Sequence, residues 1–307
     1  MTTAYISHPD CLRHEMGAWH PESPARLAAI ERELCAAGSW QRLQHFTAPP
    51  ATRAQLERVH DPRYLDALAA VAPQEGLIQL DPDTAMNPHT LAAALHAAGA
   101  AVLATDLLLE GAADNAFCAV RPPGHHAERG RAMGFCFFNN VAVGVAHALE
   151  RHQLSRVAIV DFDVHHGNGT EDIFRDDERV LMVSTFQHPF YPGSGIEGRS
   201  GRMVNVPLRA GSGGAEFRAA IEEQWLPAFE SFRPQMLFVS AGFDAHRDDD
   251  MAGLLLDDAD YHWAACWIKA AAERLAQGRV VSLLEGGYQL PALARNAADH
   301  IAVLLGD

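Results

Sequence analysis

From Asn115 onward the chain repeats one pattern: a short, continuously apolar, β-rich run, then a polar cluster or turn, then a helical stretch. The runs are Ala116–Val120, Val157–Asp163, Val180–Thr185, Met236–Ala241 and Val280–Leu284. A strand that is apolar on both faces must be covered on both faces. Helical periodicities at Asn140–Arg151, Ala215–Ser231, Asp258–Gln277 and Leu293–Leu305 supply that cover. The pattern predicts an α/β fold with one central parallel sheet and helices on both faces. The first 110 residues read as helix and loop, with helices at Pro24–Ala37 and Thr90–Glu110. Asp61-Pro62 and Asp81-Pro82 mark turns or helix starts. No fixed-period repeat, low-complexity tract or Pro/Ser-rich linker divides the 307 residues, so 1–307 read as a single domain.

Such a fold needs a large core, which 48% hydrophobic against 21% charged residues can build. The net charge of -15, with no Lys/Arg cluster, argues against a nucleic-acid partner. An acidic field favours cationic ligands such as lysine-bearing peptides or polyamines, although acidity also simply keeps a protein soluble. Cys11, Cys35, Cys118, Cys136 and Cys266 are odd in number and form no C-x-x-C pair. That suits a reducing cytosol better than a disulfide framework. The N-terminus has no basic region followed by an apolar run, and no charge-free apolar stretch reaches about 18 residues. The expectation is a cytoplasmic protein with no membrane partner.

In open parallel sheets, ligands bind beyond the carboxyl ends of the strands. Val157–Asn168 reads VAIVDFDVHHGN. On an extended strand Asp161, Asp163 and His165 share a face. Three ionisable groups there are costly to bury unless they bind something. Carboxylate with imidazole suits zinc, with Fe(II) or cobalt as alternative ions, and a polar network at a strand end is the competing reading. Asp244 follows the Met236 run, after a glycine that permits a sharp turn; a helix cap reads the same way. Two carboxylates and one histidine would leave a coordination position open, as at catalytic zinc sites. Arg121–His126, RPPGHH, is a stiffened loop with adjacent histidines, which in extended chain would point opposite ways. Amide hydrolysis needs a polarising metal, a proton carrier and an oxyanion donor. Histidine suits the second task and Tyr288, after two glycines, can serve the third.

Together these pieces resemble the histone deacetylase family of the arginase/deacetylase superfamily. The matching segments are HPESPARL at His20–Leu27, RPPGHHA at Arg121–Ala127, GFCFFNN at Gly134–Asn140, DFDVHHGNGT at Asp161–Thr170, SAGFDAH at Ser240–His246 and LEGGY at Leu284–Tyr288. Their order and their spread over most of the chain carry the resemblance, which looks most like the class II and bacterial acetylpolyamine/deacetylase-like branch. The resemblance implies a zinc-dependent deacylase that hydrolyses the amide of an acylated amine, an acyl-lysine peptide foremost. Small acetylated polyamines are the alternative substrate, and an inactive acyl-lysine binding module is the alternative of another class.

Position by position, the resemblance implies that Asp163, His165 and Asp244 hold one Zn2+ per active site, with Fe2+ as the alternative. His126 matches the general base and acid, and His125 its electrostatic companion, paired with Asp161. Tyr288 matches the phenol that stabilises the tetrahedral intermediate. Asn168 stands where some members carry Asp; a neutral amide raises the basicity of His126 less than a carboxylate would. Gly134, Phe135 and Tyr191 border the acyl-lysine tunnel, Tyr191 where Phe is common. Met251 occupies the position of an acidic gatekeeper in polyamine-selective members, beside Asp248, Asp249 and Asp250, which read as a cation lure or a solvated turn. Structural K+ is implied at an inner site of Asp161, Asp163, His165, Ser184 and Thr185, and at an outer site near Phe174, Asp177 and Val180. His246 is read as a loop residue rather than a ligand of a second metal, and Val164–Asn168 lacks the aspartate-rich pairs of binuclear manganese ureohydrolases. A homo-oligomer shaping the tunnel mouth completes the expectations.

Overall fold

The computed structural model describes residues 1–196 and 201–307. Eight strands form one sheet, in the order Gln44–Thr47, Thr3–Ser7, Asn115–Cys118, Val280–Leu284, Met236–Ala241, Val157–Asp161, Val180–Gln187, Met203–Leu208. Every neighbouring pair is parallel. The fold is thus a single domain built on a parallel sheet flanked by helices, as the alternating runs require.

Three of the eight strands escape the sequence pattern, and the first 110 residues are therefore not helix and loop alone. Gln44–Thr47 is a short, mostly exposed edge strand with no apolar run. Thr3–Ser7 is buried between two neighbours but offers only five residues of mixed polarity. Met203–Leu208 carries Pro207, which cannot donate to a ladder and is tolerated because this strand lies at the other edge. The Val157 strand stops at Asp161 rather than Asp163. Asp161 Oδ1 accepts from the Asp163 N–H (3.2 Å) and Asp163 Oδ1 from the His165 N–H (2.9 Å). Two such Asx-type bonds turn the chain out of the ladder.

Ala25–Ala36, Thr90–Leu109, Asn140–Glu150, Asp258–Leu275 and Leu290–Leu305 are the long helices. Leu290–Leu305 packs against both Ala25–Ala36 and Asp258–Leu275, and Thr90–Leu109 against Asn140–Glu150. Thr90–Leu109 is long and apolar enough to cross a membrane, but most of it is buried in the fold, as a core helix covered on all sides would be. The helix expected over Ala215–Ser231 is interrupted: Gly214–Ala220 and Leu226–Phe232 flank a π-turn at Ile221–Trp225. Pro227 lacks the N–H that a continuous ladder needs there.

Candidate active site

The central strands release their chains at one edge, and the polar clusters meet there. Asp163 and His165 leave the Val157 strand, and Asp244 leaves the Met236 strand. One ligand-type atom from each of the three lies within 4.8 Å of the others, and all three residues are buried. His165 Nδ1 is 2.9 Å from Asp163 Oδ1 and 3.3 Å from Asp244 Oδ2. The remaining carboxylate oxygens are held by backbone: Asp163 Oδ2 accepts from Gly286 N–H (2.9 Å) and Asp244 Oδ1 from Val164 N–H (3.0 Å). Asp244 Oδ2 is buried with no hydrogen-bond partner. A carboxylate oxygen left bare beside an imidazole nitrogen and a second carboxylate fits a divalent cation. His246 turns away from this point: its Nε2 pairs with Asp258 at 3.1 Å.

Both adjacent histidines reach the site, their rings 4.1 Å apart, because the RPPGHH loop is not extended. His125 Nδ1 is 2.9 Å from Asp161 Oδ2. Burial opposes a charge on His125, but Asp161, Asp163 and Glu285 outweigh it and hold the imidazole well above its ordinary value. His126 Nδ1 is 2.8 Å from Asn168 Oδ1. Burial, reinforced by the His125 and His165 rings, holds His126 well below the ordinary imidazole value. The two imidazoles are thus shifted in opposite directions, His125 toward its charged form and His126 toward its neutral form. Burial also pushes the Tyr288 phenol well above its ordinary value, against the pull of the Arg26 guanidinium, so it keeps its proton and can donate.

A cavity of about 200 Å3 leads to this centre. Gly134, Phe135, Tyr191 and Met251 line it, together with His125, His126, His165 and Tyr288. Phe135 sits at φ +69°, in the left-handed region, and its ring meets Tyr288 edge-on at 6.0 Å. Tyr191 lies edge-on to His126 at 5.3 Å. Phe190, Pro123 and Asp83 also line the cavity, and sequence reasoning did not single them out. Phe190 stacks on the His165 ring at 5.4 Å. Nothing in HPFYPG distinguishes which of two adjacent aromatics faces the tunnel; both do.

Other supporting groups were also unforeseen. Glu285, just past the Val280–Leu284 strand, receives the Gly124 and His125 N–H groups on one oxygen (2.6 and 3.1 Å) and Ser240 Oγ on the other (3.0 Å). Its carboxylate joins the histidine loop to the tyrosine loop, and burial raises it to about 7. Asp249, of the three aspartates beside Met251, is buried: Oδ2 accepts from the Tyr288 (2.6 Å) and Gln289 (2.9 Å) N–H groups and Oδ1 from Met251 (3.0 Å). Asp248 and Asp250 are the exposed pair. Behind the site, Glu22 bridges Arg121 and Arg26, and Arg26 donates to the Glu285 and Gly287 carbonyls with its guanidinium 5.0 Å from the Tyr288 ring.

On the other side of the Val157 strand end, Ser184 is buried with its Oγ unpartnered, and Ser184 pairs in register with Asp161. Phe174, Asp177 and Val180 fold into one turn, where Phe174 O accepts from Asp177 N–H and Asp177 O from Val180 N–H. Among the described residues two further His/Asp groups lie elsewhere, His8–Asp10–His96 and Asp106–His147–His152. In the second, both imidazoles are satisfied by hydrogen bonds to Asp106 Oδ1.

The comparisons with known proteins agree with this geometry. The profile of the histone deacetylase domain matches residues 20–304. A histone deacetylase-like amidohydrolase of Pseudomonas aeruginosa is 39% identical over 299 residues, covering 92% of this chain and 78% of that protein. A probable deacetylase of Archaeoglobus fulgidus is 37% identical over 316 residues, covering 100% of this chain and 87% of the other. The crystal structure of the HDA15 HD domain superposes with a TM-score of 0.93 at 36% identity, over 99% of this chain and 90% of that one.

Proposed function

This chain belongs to the histone deacetylase family, a hydrolytic deacetylase by kinship, and from that premise we propose that it is a zinc-dependent deacylase whose substrate is an acyl-lysine side chain. The observation that carries the reading is the meeting of three elements at one cavity, lined by His125, His126, His165 and Tyr288: the Asp163–His165–Asp244 cluster, the oppositely shifted histidine pair, and a phenol held in its protonated form.

Asp163, His165 and Asp244 would hold the ion, and the bare Asp244 Oδ2 supports that assignment. When bound, zinc polarises the amide carbonyl and makes water a better nucleophile. The chain's own groups do the rest. With Nδ1 donating to Asn168, His126 presents Nε2 as the base that takes a proton from water and later returns it to the leaving amine. Tyr288 donates its phenolic proton in a hydrogen bond to the oxygen on which negative charge develops. His125, locked by Asp161, keeps a positive charge beside His126 and holds that residue's own proton affinity down. Gly134, Phe135, Phe190, Tyr191 and Met251 enclose the methylene stem of the substrate and exclude water. An inner K+ at Asp161, Asp163, His165, Ser184 and Thr185 would satisfy the orphaned Ser184 Oγ and brace the strand end that carries two zinc ligands.

Met251 favours lysine over a polyamine, because an apolar side chain at the cavity wall gives a second ammonium group no counter-charge. The test is turnover of a panel of acyl-lysine peptides and acetylated polyamines, with bound metal quantified in the same preparation. The expected result is one divalent ion per chain and preferential hydrolysis of acetyl-lysine. Protein loaded with one ion that binds these peptides but hydrolyses none would overturn the enzymatic reading in favour of a binding module.

A further inference from the structure

An amide beside the base raises an orientation problem that a carboxylate would not. Asn168 can present either its oxygen or its NH2 to His126 Nδ1. With Oδ1 there, at 2.8 Å, the imidazole carries its proton on Nδ1 and the Nε2 lone pair is free. With the amide flipped, Nδ1 would become the acceptor, the proton would move to Nε2, and no base would remain. The far end of the amide decides. Asn168 Nδ2 donates to Glu128 Oε1 at 2.8 Å; its other neighbours, Met133 Sδ at 3.3 Å and the His126 carbonyl at 3.5 Å, are weaker acceptors. A carboxylate paired to arginine accepts and never donates, so only one orientation of the amide satisfies it.

Glu128 is itself well fixed. Arg131 donates to both its oxygens, at 3.0 and 3.2 Å, and its backbone N–H bonds to the Arg131 carbonyl at 2.9 Å. Its carbonyl accepts from His60 Nδ1 (3.0 Å), whose tautomer is set because His60 Nε2 accepts from Asn139 N–H (2.9 Å). The negative charge thus lies one side chain further from the base than in a direct His–Asp pair. It orients the base without sitting against it.

We propose that Glu128 is a positioning residue of this active site: it fixes the orientation of the Asn168 amide and, through it, the tautomer of His126. The inference rests on His126 being the base. The experiment is a double-mutant cycle of Glu128→Gln and Asn168→Asp in zinc-loaded protein. A Gln at 128 can donate as well as accept, so it releases the amide; kcat is expected to fall by about threefold to thirtyfold, with KM held to within about twofold and with zinc content and melting temperature unchanged. In the Asn168→Asp background no amide remains, and Glu128 would face a second carboxylate. There Glu128→Gln should raise activity rather than lower it. A merely structural role costs activity in both backgrounds, so equal losses in the two, or no loss in the first, would overturn the proposal. NMR of the His126 ring nitrogens supplies a readout without turnover: Nδ1–H alone in the native protein and a mixture in Glu128→Gln, whereas an unchanged ring spectrum counts against Glu128. Full activity in His126→Ala would instead sink the assignment of the base.

Discussion

At the scale of single residues, the centre tolerates little change, and two substitutions probe it in different ways. A Cβ on Gly286 would lie 2.0 Å from Asp244 Oδ2 and 2.6 Å from Asp163 Oδ2. Gly286→Ala is therefore expected to displace the ligand carboxylates and abolish both metal retention and turnover. Elemental analysis checks it, and one ion per chain retained at full activity would show that the turn gives way. Tyr288→Phe keeps the ring against Phe135 and Arg26 and removes only the hydroxyl. Its kcat should fall by about 10²- to 10³-fold while KM changes little, and steady-state kinetics with an acetyl-lysine peptide read both. The residues legible in the sequence were those whose chemistry is unusual where they stand: carboxylates and imidazoles at the ends of apolar runs, and a tyrosine after two glycines. Glu128, Asp249 and Glu285 were not, because an acid on a loop reads as solvated until its partners are known. Their partners include backbone N–H groups 39, 40, 160 and 161 positions away in the chain.

Among elements, the proposed catalytic groups sit on loops, and buried carboxylates tie those loops to one another. Asp249 is the clearest case: one side chain holds the backbone of both Met251 and Tyr288, which line the same cavity. Asp249→Ala leaves those N–H groups unpaired and frees the phenol. We expect kcat to fall by about 10- to 100-fold while the ion proposed at Asp163, His165 and Asp244 is still retained. An unaltered kcat would show that the Tyr288 loop holds its shape without the carboxylate. The same scale explains why five of eight strands could be read and three could not. Val157–Asp161, Val180–Gln187, Met236–Ala241 and Val280–Leu284 are wholly buried and predominantly apolar. Gln44–Thr47 and Met203–Leu208 lie at the edges, where burial is partial and the apolar signal fades.

For the whole molecule, a buried ion network joins the N-terminal segment to the catalytic edge. Glu22, fully buried, meets Arg121 from the histidine loop and Arg26 from the first long helix, with His14 3.4 Å away. Burial alone would raise the Glu22 carboxyl, but Arg121, His14 and Arg26 outweigh it and hold it well below the ordinary value of 4.5. A depressed acid stabilises the fold above its unfolded value, and that stability is lost as pH falls from about 4.5 through the folded value. His60 and His300 act at higher pH. Burial lowers both to about 4 from 6.5, so the unfolded chain binds protons first and stability declines as pH falls from about 6.5 to about 4. Glu285, raised to about 7, works in the opposite sense over the same range, so the histidine part is read from denaturant unfolding of the native protein beside His300→Gln: the stability difference between them should change as pH falls from about 6.5 to about 4, and a constant difference would contradict the burial of His300. Glu22→Gln strands two guanidinium groups and should cost about 3–5 kcal/mol, read from the shift in unfolding midpoint. The amino-acid order alone determined the fold class, the edge of the sheet that carries the site, and the residue types that gather there, because apolar runs demand burial and ionisable groups at their ends demand partners. Tertiary structure alone decided which oxygen faces which nitrogen: that Asp244 keeps a bare oxygen, that both histidines point inward, and that Glu128 stands behind Asn168. Those outcomes depend on distances between segments far apart in the chain, set only when the strands come into register.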